Sequence, residues 1–147
     1  MKKIKSITLC SSVSFYRKCL ELEIKLKRKG FQVRIEHTAR IMQQTGNFRE
    51  RDYKKWHQDK SLYTEKSKLM VRHFREIEKG DAVLVVNETK RNIEGYIGGN
   101  VLMEMGIAFY LSKPIFLWNS PSAKSPLYEE IMGMLPVVIY QDLKKIK

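Results

Sequence analysis

Five consecutive apolar residues constrain the fold of this chain more than any other feature. Residues Ala82 to Val86 follow Gly80 and Asp81 without a polar interruption. A strand with one solvent-facing side alternates apolar and polar residues, whereas a continuous apolar run is typical of a parallel strand buried on both faces. The run therefore predicts a central strand of a sheet that is covered on both sides.

The segments around this strand alternate between strand and helix periodicity. Strands are predicted at residues 4–9, 31–35, 82–86, 115–118 and 137–139, and helices at 14–29, 69–77, 101–109 and 127–134. Residues 37–60 show little periodicity, so irregular structure with a short helix is expected there. Alternating strands and helices predict a single α/β domain over residues 1–147. Five strands favour a flavodoxin-like, Rossmann-like three-layer sandwich with a parallel sheet.

The cysteine content and the apolar runs exclude several classes of protein. Cys10 and Cys19 are too few for a disulfide framework or a structural zinc set, which favours a reduced, cytoplasmic protein. The longest apolar runs are far below the roughly 18 residues that a membrane span needs. The first residues lead into no signal-peptide core. We therefore expect neither secretion nor membrane insertion.

The positive charge is concentrated in one part of the chain. Twenty-eight basic and 16 acidic residues give a net charge of +12. Residues 1–80 carry all of this excess, whereas residues 81–147 are neutral. Such a field attracts phosphorylated small molecules or polyanions, and residues 40–75 could contact nucleic acid. The alternative is a solvated, lysine-rich face without a partner.

Ligands of doubly wound sheets bind beyond the carboxyl ends of the strands, near the switch point. The loops after the first and third strands lie at this edge. They supply the candidate ligand-binding residues Ser11, Ser12, Asn87, Gly98, Gly99 and Asn100, with Phe15 and Tyr96 as possible ring-contacting residues. Backbone N–H groups at a helix start can hold a phosphate. Some of these residues also have a structural interpretation: helix capping by the serines and by Asn100, and core packing by the aromatic rings.

Glu104 falls on or beside the apolar face of its predicted helix, about one turn from the start. The helix dipole favours a negative charge there, whereas partial burial raises the pKa of a carboxyl group. A nearly dry carboxylate beside a polar loop is a suitable nucleophile or base. The alternative is a structural carboxylate that accepts hydrogen bonds from a neighbouring loop.

A resemblance to a known family rests on three runs: residues 80–87, residues 96–108 and Lys113-Pro114-Ile115. They resemble the nucleoside 2-deoxyribosyltransferase-like superfamily, which includes deoxynucleoside 5′-monophosphate N-glycosidases. The resemblance implies a flavodoxin-like fold, a homodimer or larger homo-oligomer, and a nucleoside or nucleotide substrate. It implies no cofactor and no metal.

The resemblance also implies roles for two residues. Glu104 matches the helix glutamate that attacks C1′ of a 2-deoxyribosyl group in that family. His73 stands where family enzymes commonly have an acid/base aspartate, and a histidine can also donate a proton. A satisfied core histidine is the alternative. The expected function is an N-glycosidase or 2-deoxyribosyltransferase, and the alternative is a nucleotide- or nucleic-acid-binding protein without turnover.

Overall fold

The computed structural model describes residues 2–147 and has a five-stranded, all-parallel sheet. The strands are β1 (Ser6–Cys10), β2 (Gln32–Arg34), β3 (Ala82–Val85), β4 (Ile115–Leu117) and β5 (Val137–Val138). Their order across the sheet is β2-β1-β3-β4-β5, with all neighbours parallel. This order is the flavodoxin-like one, and it confirms the predicted α/β three-layer sandwich.

Five helices cover the two faces of the sheet. They are α1 (Tyr16–Arg28), α2 (His37–Thr45), α3 (Tyr63–Lys79), α4 (Gly99–Tyr110) and α5 (Tyr128–Gly133). One buried apolar cluster includes residues of α1, α2 and the C-terminal segment. The other includes residues of α3, α4 and α5. The sheet lies between these two helical layers.

The central strand β3 contributes side chains to both clusters. Ala82 and Leu84 belong to the α1 side, whereas Val83 and Val85 belong to the α4 side. Successive side chains of a strand point to opposite faces, so a strand between two apolar layers needs apolar residues throughout. This packing explains the continuous apolar run.

Two predicted helix starts differ from the structure. A 3-10 turn precedes α1, and the Ser14 hydroxyl donates to Glu50 Oε2 (3.2 Å) instead of capping the helix. Gly98 occupies the N-cap position of α4, so the predicted cap at Asn100 is wrong. The Asn100 side chain lies in the first turn and donates to Glu104 Oε1 (2.9 Å).

The least periodic segment, residues 37–60, contains α2 followed by short 3-10 turns. Helix α3 begins at Tyr63, earlier than its apolar periodicity indicated. Within residues 2–147, no helix is both long and apolar enough to cross a membrane.

Polar side chains join elements that are distant in sequence. Asp81 accepts hydrogen bonds from the backbone N–H groups of Lys5 (2.9 Å) and Ser6 (3.0 Å), which links β3 to β1. The Lys113 ammonium donates to the carbonyl oxygens of Glu78 and Gly80 at the end of α3. Orphan carbonyls at a helix end are commonly satisfied in this way.

Candidate functional site

A cavity of about 230 Å³ opens at the carboxyl ends of β1 and β3. Its walls come from the loops after these strands, the start of α4, the middle of α3 and the 3-10 turns before α3. This is the edge at which doubly wound sheets bind ligands. Of the predicted site residues, the cavity is lined by Ser11, Ser12, Tyr96, Gly98, Gly99, Asn100 and Glu104.

The remaining predicted site residues lie outside the cavity wall. Phe15 is buried in the apolar cluster on the α1 side. The Asn87 side chain donates to the Asn119 carbonyl (2.7 Å) and accepts from the Asn119 N–H (2.8 Å), so it ties the loop after β3 to the loop after β4. His73 lies behind Glu104, with 2% of its surface exposed.

Basic side chains converge on the cavity from two sides. The Lys66 ammonium donates to Asn100 Oδ1 (3.1 Å) and lies 5.5 Å from the centre of the Trp56 ring. The Lys90 ammonium donates to the Ser12 hydroxyl (2.9 Å) and lies 5.5 Å from the centre of the Tyr96 ring. Burial lowers the pKa of both lysines from the ordinary lysine value. Both remain donors suited to an anionic group.

Aromatic rings form much of the remaining wall. Tyr16, Tyr53, Trp56 and Tyr96 all line the cavity. Aromatic side chains bind planar rings by stacked or edge-to-face contacts. The cavity therefore combines surfaces for an anion and for a flat ring.

Glu104 lies at the inner end of the cavity with 1% of its surface exposed. Its Oε1 accepts from the Asn100 side chain, and its Oε2 has no hydrogen-bond partner among the described residues. Burial raises the pKa of the Glu104 carboxyl group well above the ordinary value, and the nearby negative charge of Glu36 raises it further. Both effects shift this carboxyl group towards its neutral form.

Three buried side chains lie close to the Glu104 carboxyl group: Cys10, Glu36 and His73. His73 Nε2 lies 3.9 Å from Glu104 Oε2 and 3.6 Å from the sulfur of Cys10. His73 Nδ1 lies 3.6 Å from Glu36 Oε1. Burial lowers the pKa of His73 and raises that of Cys10. We call Cys10, His73 and Glu104 the buried triad.

Sequence reasoning missed Cys10 and Glu36 as site residues. Cys10 is the last residue of β1, and Glu36 follows the end of β2, so both come from the ligand-binding edge of the sheet. Their position at this edge is the sequence signal from which both residues could have been predicted as site residues. Lys66 and Trp56 belong to the basic, aromatic segment 40–75, which the sequence marked as a whole without separating its members.

Comparisons with known proteins assign no family. No family model matches the chain, and no curated protein matches it. Among solved structures it is similar to FerB, a flavoenzyme NAD(P)H:(acceptor) oxidoreductase from Paracoccus denitrificans. The two are 16% identical, with a TM-score of 0.46, and the match covers 92% of this chain and 74% of that chain.

These findings correct the family prediction. The assignment to the nucleoside 2-deoxyribosyltransferase-like superfamily is withdrawn, because no family model matches the chain. The N-glycosidase, hydrolase and transferase activities rested on that resemblance and are withdrawn with it, and no comparison supports the alternative of nucleotide or nucleic-acid binding without turnover. The similar structure is that of an enzyme, but of the oxidoreductase class.

The structure gives a physical reason why the resembling runs misled. Ala82 to Val85 form the buried central strand, and Asp81 and Lys113 hold the ends of β1 and α3. A chain of this architecture needs such residues whatever its activity. The predicted small-molecule, nucleic-acid and homo-oligomeric partners stay predictions.

Proposed function

We propose that this chain is an enzyme that binds a small phosphorylated compound with a planar ring and converts it beside Glu104. One observation carries the proposal: a cavity whose mixed lining includes lysine and aromatic side chains ends at a buried carboxyl oxygen that has no hydrogen-bond partner among the described residues. Buried polar atoms without partners are rare, and a catalytic role is one of the recognised explanations for such an atom.

The basic side chains support the phosphate part of the proposal. Lys66 and Lys90 reach the cavity from α3 and from the loop after β3, and Gly98 and Gly99 begin helix α4 between them. A Cβ atom at Gly99 would meet no atom within 4 Å, so its backbone is open to a ligand. Ammonium groups and the N–H groups of a helix start are both donors for a phosphate.

A binding experiment tests the ligand class. Flavin mononucleotide, pyridoxal 5′-phosphate and adenosine 5′-monophosphate are each compared with the dephosphorylated compound by thermal shift and calorimetry. We expect at least one phosphorylated compound to raise the Tm, and its dephosphorylated counterpart to bind far more weakly. Equal binding of the paired compounds, or no binding by any of them, would overturn the proposal.

Two lysines of α3 provide a matched pair of variants. Lys66→Gln removes a charge at the cavity, and we expect it to weaken binding about tenfold or more, the value of one charge-assisted hydrogen bond. Lys68→Gln removes a charge from the same helix, but the Lys68 side chain is 75% exposed and outside the cavity. Lys68→Gln should therefore leave the affinity unchanged.

Turnover is tested on the compound that binds. Mass spectrometry follows its conversion by the unmodified protein and by Glu104→Gln, which keeps the shape of the side chain and can still accept from Asn100. We expect binding to persist and conversion to fall about a hundredfold or more, the loss typical of a group that takes part in the reaction. Equal rates for the two proteins would remove Glu104 from the reaction.

A further inference from the structure

We propose that the buried triad of Cys10, His73 and Glu104 binds a divalent transition-metal ion, with Zn²⁺ as the best match. The three side chains come from β1, α3 and α4, which meet behind the cavity. They offer one sulfur, one imidazole nitrogen and one carboxylate oxygen. Zn²⁺ accepts all three ligand types.

The spacing of the three atoms suits one shared ion. The Cys10 sulfur lies 3.6 Å from His73 Nε2, and Glu104 Oε2 lies 3.9 Å from the same nitrogen. All three atoms are within 4.8 Å of one another. Bond lengths of roughly 2.0–2.3 Å in a tetrahedral site place ligand atoms about 3.3–3.6 Å apart. The two distances to His73 Nε2 are within a few tenths of an ångström of this spacing, and the Cys10 sulfur and Glu104 Oε2 would have to close from at most 4.8 Å.

Two neighbouring side chains lie where supporting contacts of a metal site are expected. Glu36 Oε1 lies 3.6 Å from His73 Nδ1, on the side of the ring that faces away from the triad. Asn100 donates to Glu104 Oε1, which leaves Oε2 free to bind an ion. A carboxylate behind a metal-binding histidine and a hydrogen bond on the second oxygen of a metal-binding carboxylate are typical supporting contacts.

Unpartnered atoms concentrate at this place. Among residues 2–147, four buried side-chain nitrogen or oxygen atoms lack a hydrogen-bond partner, and two of them belong to the triad: His73 Nδ1 and Glu104 Oε2. A buried polar atom without a hydrogen-bond partner destabilises the folded state. A metal ion would bind Glu104 Oε2. A bond from the ion to His73 Nε2 would leave the ring proton on Nδ1, which could then donate a hydrogen bond to Glu36.

Three protein ligands leave one position of a tetrahedral ion open. Glu104 lines the cavity, so the buried triad lies directly next to the cavity. Three ligands with an open position are typical of catalytic zinc sites, whereas structural zinc sites are closed by four protein ligands. The metal site requires no bound phosphorylated compound. Its occupant on the open side would be water or a group of the ligand.

Cobalt substitution tests the site directly. The protein is stripped of metal with a chelator and titrated with Co²⁺, with absorption recorded in the visible and near-ultraviolet. We expect one Co²⁺ per chain, visible bands of a four-coordinate ion and a thiolate-to-cobalt charge-transfer band. Zn²⁺ should displace the Co²⁺ and abolish these bands. Because the ligands must lose their protons, affinity should rise with pH.

The two cysteines provide the matched control. Cys10→Ser should abolish the charge-transfer band, whereas Cys19→Ser should keep it, because Cys19 is also buried but its sulfur contacts the Ser11 hydroxyl. A band that is missing from the unmodified protein, or that survives Cys10→Ser, would overturn the proposal. Circular dichroism checks that each variant is folded.

A second readout keeps the test decisive if Cys10→Ser does not fold. Zn²⁺ should raise the Tm of the unmodified protein, and Glu104→Gln should require at least about tenfold more Zn²⁺ for the same shift. An unchanged Zn²⁺ dependence in Glu104→Gln would exclude Glu104 as a ligand and overturn the three-ligand site. These measurements use no phosphorylated compound, so failure of the metal site is distinguishable from failure of the proposed function.

Discussion

Two carboxyl groups show how strongly the surroundings of a residue decide its properties. Asp81 lies at the amino end of β3, where backbone N–H groups of Lys5 and Ser6 and the Lys2 ammonium hold its pKa well below the ordinary value. Burial raises the pKa of Glu104 at the inner end of the cavity. Hydrogen bonds to the charged form and loss of water act in opposite directions. Asp81 therefore supports the fold, whereas Glu104 is the site candidate.

Replacing Asp81 should change the pH dependence of stability. A carboxyl group whose pKa is lowered by folding stabilises the protein above its unfolded pKa, near 4, and this contribution disappears as pH falls towards the folded pKa. Asp81→Asn should lower the free energy of unfolding at pH 7 by about 1 kcal/mol. The difference from the unmodified protein should shrink below about pH 4.

Urea unfolding between pH 2 and pH 7 measures this effect. Asp142→Asn is the control, because Asp142 accepts only a local hydrogen bond from the Lys144 N–H (3.0 Å) in an exposed turn. The role assigned to Asp81 would be contradicted if the difference in free energy of unfolding between Asp81→Asn and the unmodified protein stayed constant across this pH range.

At the scale of elements, the loop between β3 and α4 is held in place before it reaches the cavity. Asn87 joins its start to Asn119, and Gly95 has φ of 60°. A Cβ atom at Gly95 would overlap the carbonyl oxygen of Ser120. The next residue, Tyr96, forms part of the cavity wall. The positions of Tyr96 and Gly98 thus depend on close contact between two loops.

Gly95→Ala should therefore be strongly destabilising. It combines an unfavourable left-handed conformation with a backbone overlap, and we expect a loss of about 2–4 kcal/mol in the free energy of unfolding. Gly30→Ala isolates the first effect, because Gly30 has φ of 92° and a Cβ atom there would meet nothing within 4 Å. Gly30→Ala should lower the free energy of unfolding by about 1 kcal/mol.

Chemical denaturation of the two glycine variants distinguishes these contributions. Gly95→Ala should also weaken binding of whichever phosphorylated compound the unmodified protein takes, because Tyr96 would be displaced. Equal stability losses for the two variants would show that the contact with Ser120 contributes nothing.

At the scale of the whole molecule, we propose self-association through the end of α4. Phe109, Tyr110 and Leu111 are consecutive apolar residues with exposed fractions of 51%, 85% and 38%. Large exposed apolar areas mark interaction surfaces on folded proteins. The homo-oligomer predicted from the sequence makes a second copy of the chain the partner to test.

Sedimentation velocity tests this expectation. The unmodified protein should sediment as a dimer or larger assembly, and Tyr110→Lys should shift it towards the monomer by placing a charge in the interface. Leu135→Lys is the control, since Leu135 is 82% exposed but follows α5. A monomeric unmodified protein, or an assembly unaffected by Tyr110→Lys, would contradict the proposal.

The architecture was predictable from the sequence, because the signals for it are local. Strand and helix periodicities and the continuous apolar run of β3 predicted a covered parallel sheet with the flavodoxin-like order, and burial of β3 on both faces is the physical reason. The same rules placed Ser12, Gly99 and Glu104 near the carboxyl edge, where the structure has its cavity. They did not identify an activity.

Only the tertiary structure decided which side chains meet at the inner end of that cavity. Cys10, Glu36, His73 and Glu104 come from four separate segments, and periodicity predicts the face of an element but no distance between elements. His73 has the sequence pattern of an ordinary core residue, yet packing of α3 against β1 and α4 places it among two carboxyl groups and a thiol. These contacts are long-range, so their chemistry becomes visible only when the chain is folded.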